Sequence, residues 1–175
     1  MSCQRASFDF LDHNNPSPLT WAHSTGLSVA ILRQGEVAEL RWRTFERSFQ
    51  EAGTARLLLL VLGAVDLAPG RRRALTQAIG ERSVAAIVDS VVGRGMVTAL
   101  SWAGVSVESF PTSRIRDAIS ALRPESGGES VDQCLDVAVR LIEGTDLTGE
   151  LRDKLATGAR FRGQGARLFA RSTAS

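Results

Sequence analysis

The sequence predicts an α/β fold: a mainly parallel or mixed four-stranded sheet flanked by helices, with two additional C-terminal helices. Three observations carry this. Apolar runs of strand length alternate along the chain with segments of helical periodicity. The run Arg56 to Leu62 is apolar at consecutive positions, which suits a strand covered on both faces. Glycine or proline stands at most changes of periodicity, as at Gly35, Gly53, Pro69, Gly80, Gly104 and Pro111. Strands alternating with helices imply parallel pairing with right-handed crossovers.

The elements follow in order. Residues 1–26 read as an irregular N-terminal arm, because Asn14, Asn15, Pro16, Ser17 and Pro18 form a turn signature and Phe8, Phe10 and Leu11 offer only local anchors. The α/β core spans 27–123. Its first strand is Leu27 to Leu32, followed by a helix from about Glu36 to Ala52 with Ala38, Trp42, Phe45, Phe49 and Ala52 on one face and Gly53 at its end. The second strand is Arg56 to Leu62, and Pro69 opens a short helix that Gly80 closes. Val84 to Val88 is the third strand, followed by a Gly-containing turn and a helix around Met96 to Ala103. Val105, Val107 and Ser109 alternate as a fourth strand, and Ile115, Ala118, Ile119 and Leu122 define a helix capped near Thr112 or Ser113. Residues 124–158 form a helical extension. Pro124 to Gly128 is its linker, Ser130 with Gln133 makes a capping box, and Thr148 caps a last short helix through Leu151 and Leu155. Residues 159–175 read as a flexible Arg-rich tail.

Composition excludes several classes. The chain has 175 residues, 43% hydrophobic and 23% charged, which suits a folded domain rather than a disordered one. A net charge of +2 supplies no field strong enough to require a polyanionic partner. Lys154 is the only lysine among 21 basic residues, a bias read as the mark of a GC-rich, bacterial genome. Cys3 and Cys134 form no CxxC pair, so neither a zinc site nor a disulfide framework is expected, and no metal or other cofactor is assigned. Residues 1–20 lack the apolar run of a signal peptide, and Leu57 to Leu62 is too short to span a bilayer; the expected location is the cytoplasm, without membrane attachment.

One segment has a recognisable pattern. Val84-Ala85-Ala86-Ile87-Val88 runs into Asp89-Ser90, then Val91-Val92-Gly93-Arg94-Gly95-Met96. An apolar strand entering Asp-Ser and then a helix resembles the central signature of STAS domains, the group of anti-sigma-factor antagonists and SpoIIAA-like proteins. The resemblance covers about 27–123. In that family the signature often reads Asp-Ser-Ser-Gly-x-Gly, so the glycines here are displaced. The resemblance implies a regulatory module, and it makes Ser90 the nearest equivalent of a serine that a partner kinase phosphorylates in the antagonists.

The residues themselves single out Asp89, Ser90, Gly93, Arg94 and Gly95 as a partner- or ligand-binding turn. Ligands favour the carboxyl ends of strands in open α/β sheets, and a helix N-terminus offers free N–H groups to an anion. The plainer reading, which takes precedence, is an ordinary turn with Asp or Ser as helix cap. Gly93-x-Gly95 lacks the third glycine of a dinucleotide fingerprint. A Ser-His-Asp arrangement using His23 is not specified by any spacing, so His13 and His23 read as loop residues; Asp132 and Asp136 read as a solvated pair. No catalytic residue is assigned. Arg71-Arg72-Arg73 reads as a solvated helix start. Arg160, Arg162, Arg167 and Arg171, interleaved with Phe161 and Phe169, leave nucleic-acid binding as the weakest expectation.

The function expected is a non-enzymatic regulatory or scaffolding module that binds another protein through 89–95, with the C-terminal helices as a docking or dimerisation element. The alternative is a small-molecule or nucleotide-binding domain, an enzyme included, using the same strand-end crevice.

Overall fold

A computed structural model describes residues 17–23, 26–65, 67–122, 130–143 and 153, with the side chains of 137 and 140–143 outside the description. Five strands form one mixed sheet, not four: β1 (Leu19–His23), β2 (Ser28–Arg33), β3 (Arg56–Leu62), β4 (Ser83–Val88) and β5 (Val107–Pro111), in the spatial order of the sequence. β1 pairs antiparallel with β2, Leu19 opposite Leu32 and His23 opposite Ser28. β2, β3, β4 and β5 are parallel. The extra strand lies in the stretch expected to be irregular. Pro18 does signal a turn, but its carbonyl accepts from Arg33 N–H at 2.7 Å and the chain then extends along β2. Arg41 Nε donates to Leu19 O at 3.1 Å, and its guanidinium lies 4.6 Å from the Trp21 ring centroid, tying this edge to the helix beneath it.

The helices among the described residues are α1 (Glu39–Ala52), α2 (Pro69–Ile79), α3 (Val91–Trp102), α4 (Ile115–Ala121) and α5 (Val131–Glu143). A strand order that always advances in one direction, with right-handed crossovers, carries successive helices across the same face. Accordingly α1, α2 and α3 cover one face, where Trp42, Phe45, Phe49, Leu75, Ile79, Met96, Val97 and Leu100 meet Leu57, Leu59, Val61 and Val84. The opposite face of the same strands, with Leu58, Leu60, Leu62, Ala85 and Ile87, packs on Ile115, Ile119, Cys134, Leu135 and Ala138 of α4 and α5. Thus the apolar run of β3 feeds alternate residues to two cores.

Helix ends follow local chemistry, with some shifts from expectation. Gly53 ends α1 at φ 60°, the left-handed C-cap that glycine takes without a Cβ penalty. α1 begins at Glu39, three residues after the expected start, and its cap Ala38 makes no side-chain bond. Pro69 opens α2 as expected. β5 extends to Pro111, which an edge strand tolerates. The chain then enters a 3-10 turn, Thr112–Arg114, and α4 starts after Arg114 without a side-chain cap; neither Thr112 nor Ser113 serves that role. The capping box of α5 is present: Ser130 N–H donates to Gln133 Oε1 at 2.7 Å and Gln133 N–H to Ser130 Oγ at 3.2 Å. The linker 124–128, the helix expected near 148–155 apart from residue 153, and the tail 159–175 lie outside the described residues, as do Cys3 and His13. Among the described residues no helix is long and apolar enough to cross a membrane, and no His, Cys, Asp and Glu cluster suits a metal.

Candidate functional site

The segment 89–95 is the junction of β4 and α3, and most of it is helix rather than turn. Helix geometry begins at Val91, so Gly93, Arg94 and Gly95 belong to the first turns of α3. Asp89 follows the last residue of β4, and its Oδ1 accepts from Gly63 N–H at 2.7 Å. Gly63, at φ 80°, is the first residue beyond the neighbouring strand β3. Ser90 is the N-cap of α3: its Oγ accepts from Gly93 N–H at 2.9 Å and donates to Gly63 O at 2.7 Å. Two side chains therefore satisfy both backbone groups of one residue in the adjacent loop. This explains why Asp and Ser stand in tandem at the end of β4.

The two glycines play unequal parts. Gly93 is buried where α3 approaches the sheet. A Cβ on it would lie 2.9 Å from Val88 Cγ1 and 3.1 Å from both Val61 Cγ1 and Ser90 Oγ. Glycine is thus required for the close approach. Gly95 faces solvent, with nothing within 4 Å of a Cβ built on it. Arg94 is also exposed.

The rest of α3 presents an unusual surface. Opposite its buried stripe of Gly93, Met96, Val97 and Leu100 lie Val91, Gly95, Thr98 and Trp102, at i, i+4, i+7 and i+11. Val91 is 75% exposed and Trp102 85%, with Val92 at 50% beside them. α5 packs on the other face of the sheet, so its described residues leave this surface uncovered. Between α2 and α3 runs a groove of about 340 Å³, lined by Pro69, Arg72, Arg73, Thr76, Ala99 and Ala103.

A second polar constellation was not legible in the sequence. His23, expected in a loop, is the last residue of β1. Its Nδ1 lies 2.8 Å from Ser28 Oγ, its Nε2 2.7 Å from Ser48 Oγ, and its ring packs edge-on against Phe49 at 5.1 Å. Trp21 Nε1–H donates to Ser48 Oγ at 3.0 Å, and Ser28 Oγ is bonded to Thr54 Oγ1. Each hydroxyl can donate to or accept from the ring, so both imidazole nitrogens are hydrogen-bonded in either neutral tautomer. Burial, and secondarily the positive Arg82, holds the His23 pKa below its ordinary value. No carboxylate among the described residues joins this network, so the geometry is not that of a Ser-His-Asp triad. Arg82 clamps the same end of the sheet, donating to Thr54 O, Ala78 O, Ile79 O and Phe49 O at 2.6–2.9 Å. It thereby covers the terminal carbonyls of α1 and α2.

The remaining expected residues separate. Trp42, Phe45 and Phe49 are core. Asp132 and Asp136 are exposed, and Asp132 pairs with Arg116 of α4. Arg71 pairs with Glu39 of α1 and stacks 5.4 Å from the Trp42 ring centroid; with Arg43 it holds the Glu39 carboxyl below the usual range. Compared with known proteins, the chain matches no family model, no curated protein and no solved structure at a significant level, so its function rests on this geometry alone.

Proposed function

We propose that the chain is a non-enzymatic regulatory or scaffolding module of bacterial, cytoplasmic STAS/SpoIIAA-like type, which binds another protein through the β4–α3 junction and the outer face of α3. The observation that carries this reading is the solvent-exposed apolar stripe of α3, with Val91 at 75% and Trp102 at 85% exposure. Exposed apolar residues scattered singly need no explanation; Val91, Val92 and Trp102 all stand exposed on one helix, and an aromatic among them suits a protein contact. Asp89 and Ser90 set the entry angle of that helix by fastening it to Gly63.

The Ser90 hydroxyl is committed twice, as acceptor from Gly93 and donor to Gly63. Phosphorylation at Ser90 would remove the donor and place a dianion beside Asp89. It would therefore act by loosening α3, not merely by adding charge to a free surface. The alternative, a small anionic ligand in the strand-end crevice, has less support there: Asp89 and Ser90 already occupy the Gly63 and Gly93 amides that such a ligand needs.

The test is quantitative partner capture from lysate by the full chain, by Val91→Asp/Trp102→Ala, and by Ser90→Ala and Ser90→Asp. Loss of a captured protein in the double variant, with unchanged circular dichroism, is expected. Capture of the same protein at the same level by wild type and the double variant ends this reading, as does failure of the wild type to retain any protein.

A further inference from the structure

We infer that the groove between α2 and α3 is a docking site for an acidic amphipathic helix of a partner protein. This rests on the reading of α3 as the contact surface and names the chemistry of what it binds. The groove has the shape of a helix seat. Pro69, Arg72, Arg73 and Thr76 line one wall at i, i+3, i+4 and i+7 of α2, and Ala99 and Ala103 line the other at i and i+4 of α3. The α3 wall is made of small side chains, which let another backbone come close. Outside the lining, Val92 lies seven residues before Ala99 on the same side of α3, and the exposed Trp102 precedes Ala103. An apolar helix face with anchors at i, i+4 and i+7 fits such a trough.

Charge selects the occupant. α2 and α3 carry Arg71, Arg72, Arg73 and Arg94 and no Asp or Glu. Arg71 is paired with Glu39 and Arg94 lies on the side of α3 away from the groove, whereas Arg72 and Arg73, which line it, meet no carboxylate among the described residues. A second copy docked isologously on this face would set arginine against arginine, so self-association through it is disfavoured. A polyanion without apolar groups would satisfy the guanidinium groups but leave Ala99, Ala103, Val92 and Trp102 in water. An acidic helix with an apolar stripe satisfies both.

The test uses the full chain and a fluorescent amphipathic peptide of roughly 15 residues, with leucines at i, i+4, i+7 and i+11 and glutamates on both flanks. Its controls have lysines in place of the glutamates, or the same residues scrambled. Fluorescence anisotropy at low salt should show the glutamate peptide binding about tenfold or more tightly than either control. Arg72→Glu/Arg73→Glu should reverse the preference toward the lysine peptide, an outcome that misfolding does not produce. Ala99→Trp, which fills the groove, should weaken the glutamate peptide while far-ultraviolet circular dichroism stays unchanged. Equal binding of the peptides, or an unreversed preference in the charge-swapped variant, overturns the inference. So does tighter binding of an oligothymidylate or of phosphatidylserine vesicles at the same arginines, or a concentration-dependent dimer that Ala99→Trp abolishes. The broader reading fails separately: a partner whose capture needs Val91 and Trp102 but survives the charge swap leaves the α3 contact standing and removes only the groove.

Discussion

The Asp89 carboxylate accepts from the Gly63 amide at 2.7 Å across 26 residues of sequence, and the Ser90 hydroxyl returns a bond of 2.7 Å to the carbonyl of the same glycine. Consecutive residues at the end of β4 thus grip the donor and the acceptor of a single residue beyond β3. The register of these parallel strands, Val61 opposite Val88, puts Gly63 within reach. The arrangement couples the position of α3 to the β3–α2 loop, so a change at one is felt at the other.

Ser90→Ala should cost about 1 kcal/mol, the usual worth of an N-cap, because Gly93 N–H loses its acceptor and Gly63 O keeps only the bond from Val65 N–H. Ser90→Asp should retain a cap acceptor for Gly93 but not the donor to Gly63. Urea unfolding of both variants checks this: Ser90→Asp recovering full stability would show that the bond to Gly63 is idle.

Gly93→Ala and Gly95→Ala should move stability in opposite directions. At 93 the added methyl meets Val88 and Val61 at 2.9 and 3.1 Å, an overpacking that costs about 1–3 kcal/mol. At 95 it meets nothing, and replacing a helical glycine should stabilise by about 0.5–1 kcal/mol. Urea midpoints shifted in the same direction would contradict the packing of α3 described above.

The chain should lose stability as pH falls below 6.5, the ordinary histidine value, because unfolded His23 takes up a proton that the folded state resists. The loss begins as pH drops through that value and is complete below the lowered folded pKa. His23→Gln should remove this component of the slope. The check is the urea midpoint of both proteins from pH 7.5 down to 5: identical slopes would show that His23 is not the group responsible.

Arg82→Ala should destabilise by about 2–4 kcal/mol, because four carbonyls at the ends of α1, α2 and the loop before β3 lose a charged donor. Lysine at this position keeps the charge but lacks the fork that reaches several carbonyls at once. Arg82→Lys should therefore recover less than half of the loss, measured by thermal unfolding. Full recovery would assign the effect to charge at the helix ends rather than to the guanidinium geometry.

The sequence by itself determined the α/β class, the three central strands and the helix faces. Those signals are local: the consecutive apolar residues of β3, the Trp42–Phe45–Phe49 stripe, Gly53 and Pro69 at helix ends, and the reciprocal pair Ser130 and Gln133 each act within a few residues. Asp89 and Ser90 were legible as a strand-to-helix junction for the same reason. Tertiary structure decided what depends on distant partners. β1 is short, and it becomes a strand by pairing with β2 and by the hold of Arg33 and Arg41 on Pro18 and Leu19. His23 acquired its role because Ser48, 25 residues away, faces its Nε2. The start of α3 at Val91 was obscured by two glycines, which sequence reads as turn residues; only the approach of α3 to Val61 and Val88 shows that Gly93 serves packing instead. The exposure of Val91 and Trp102 is likewise a tertiary fact, since a helix has no solvent side until its neighbours have taken the other one.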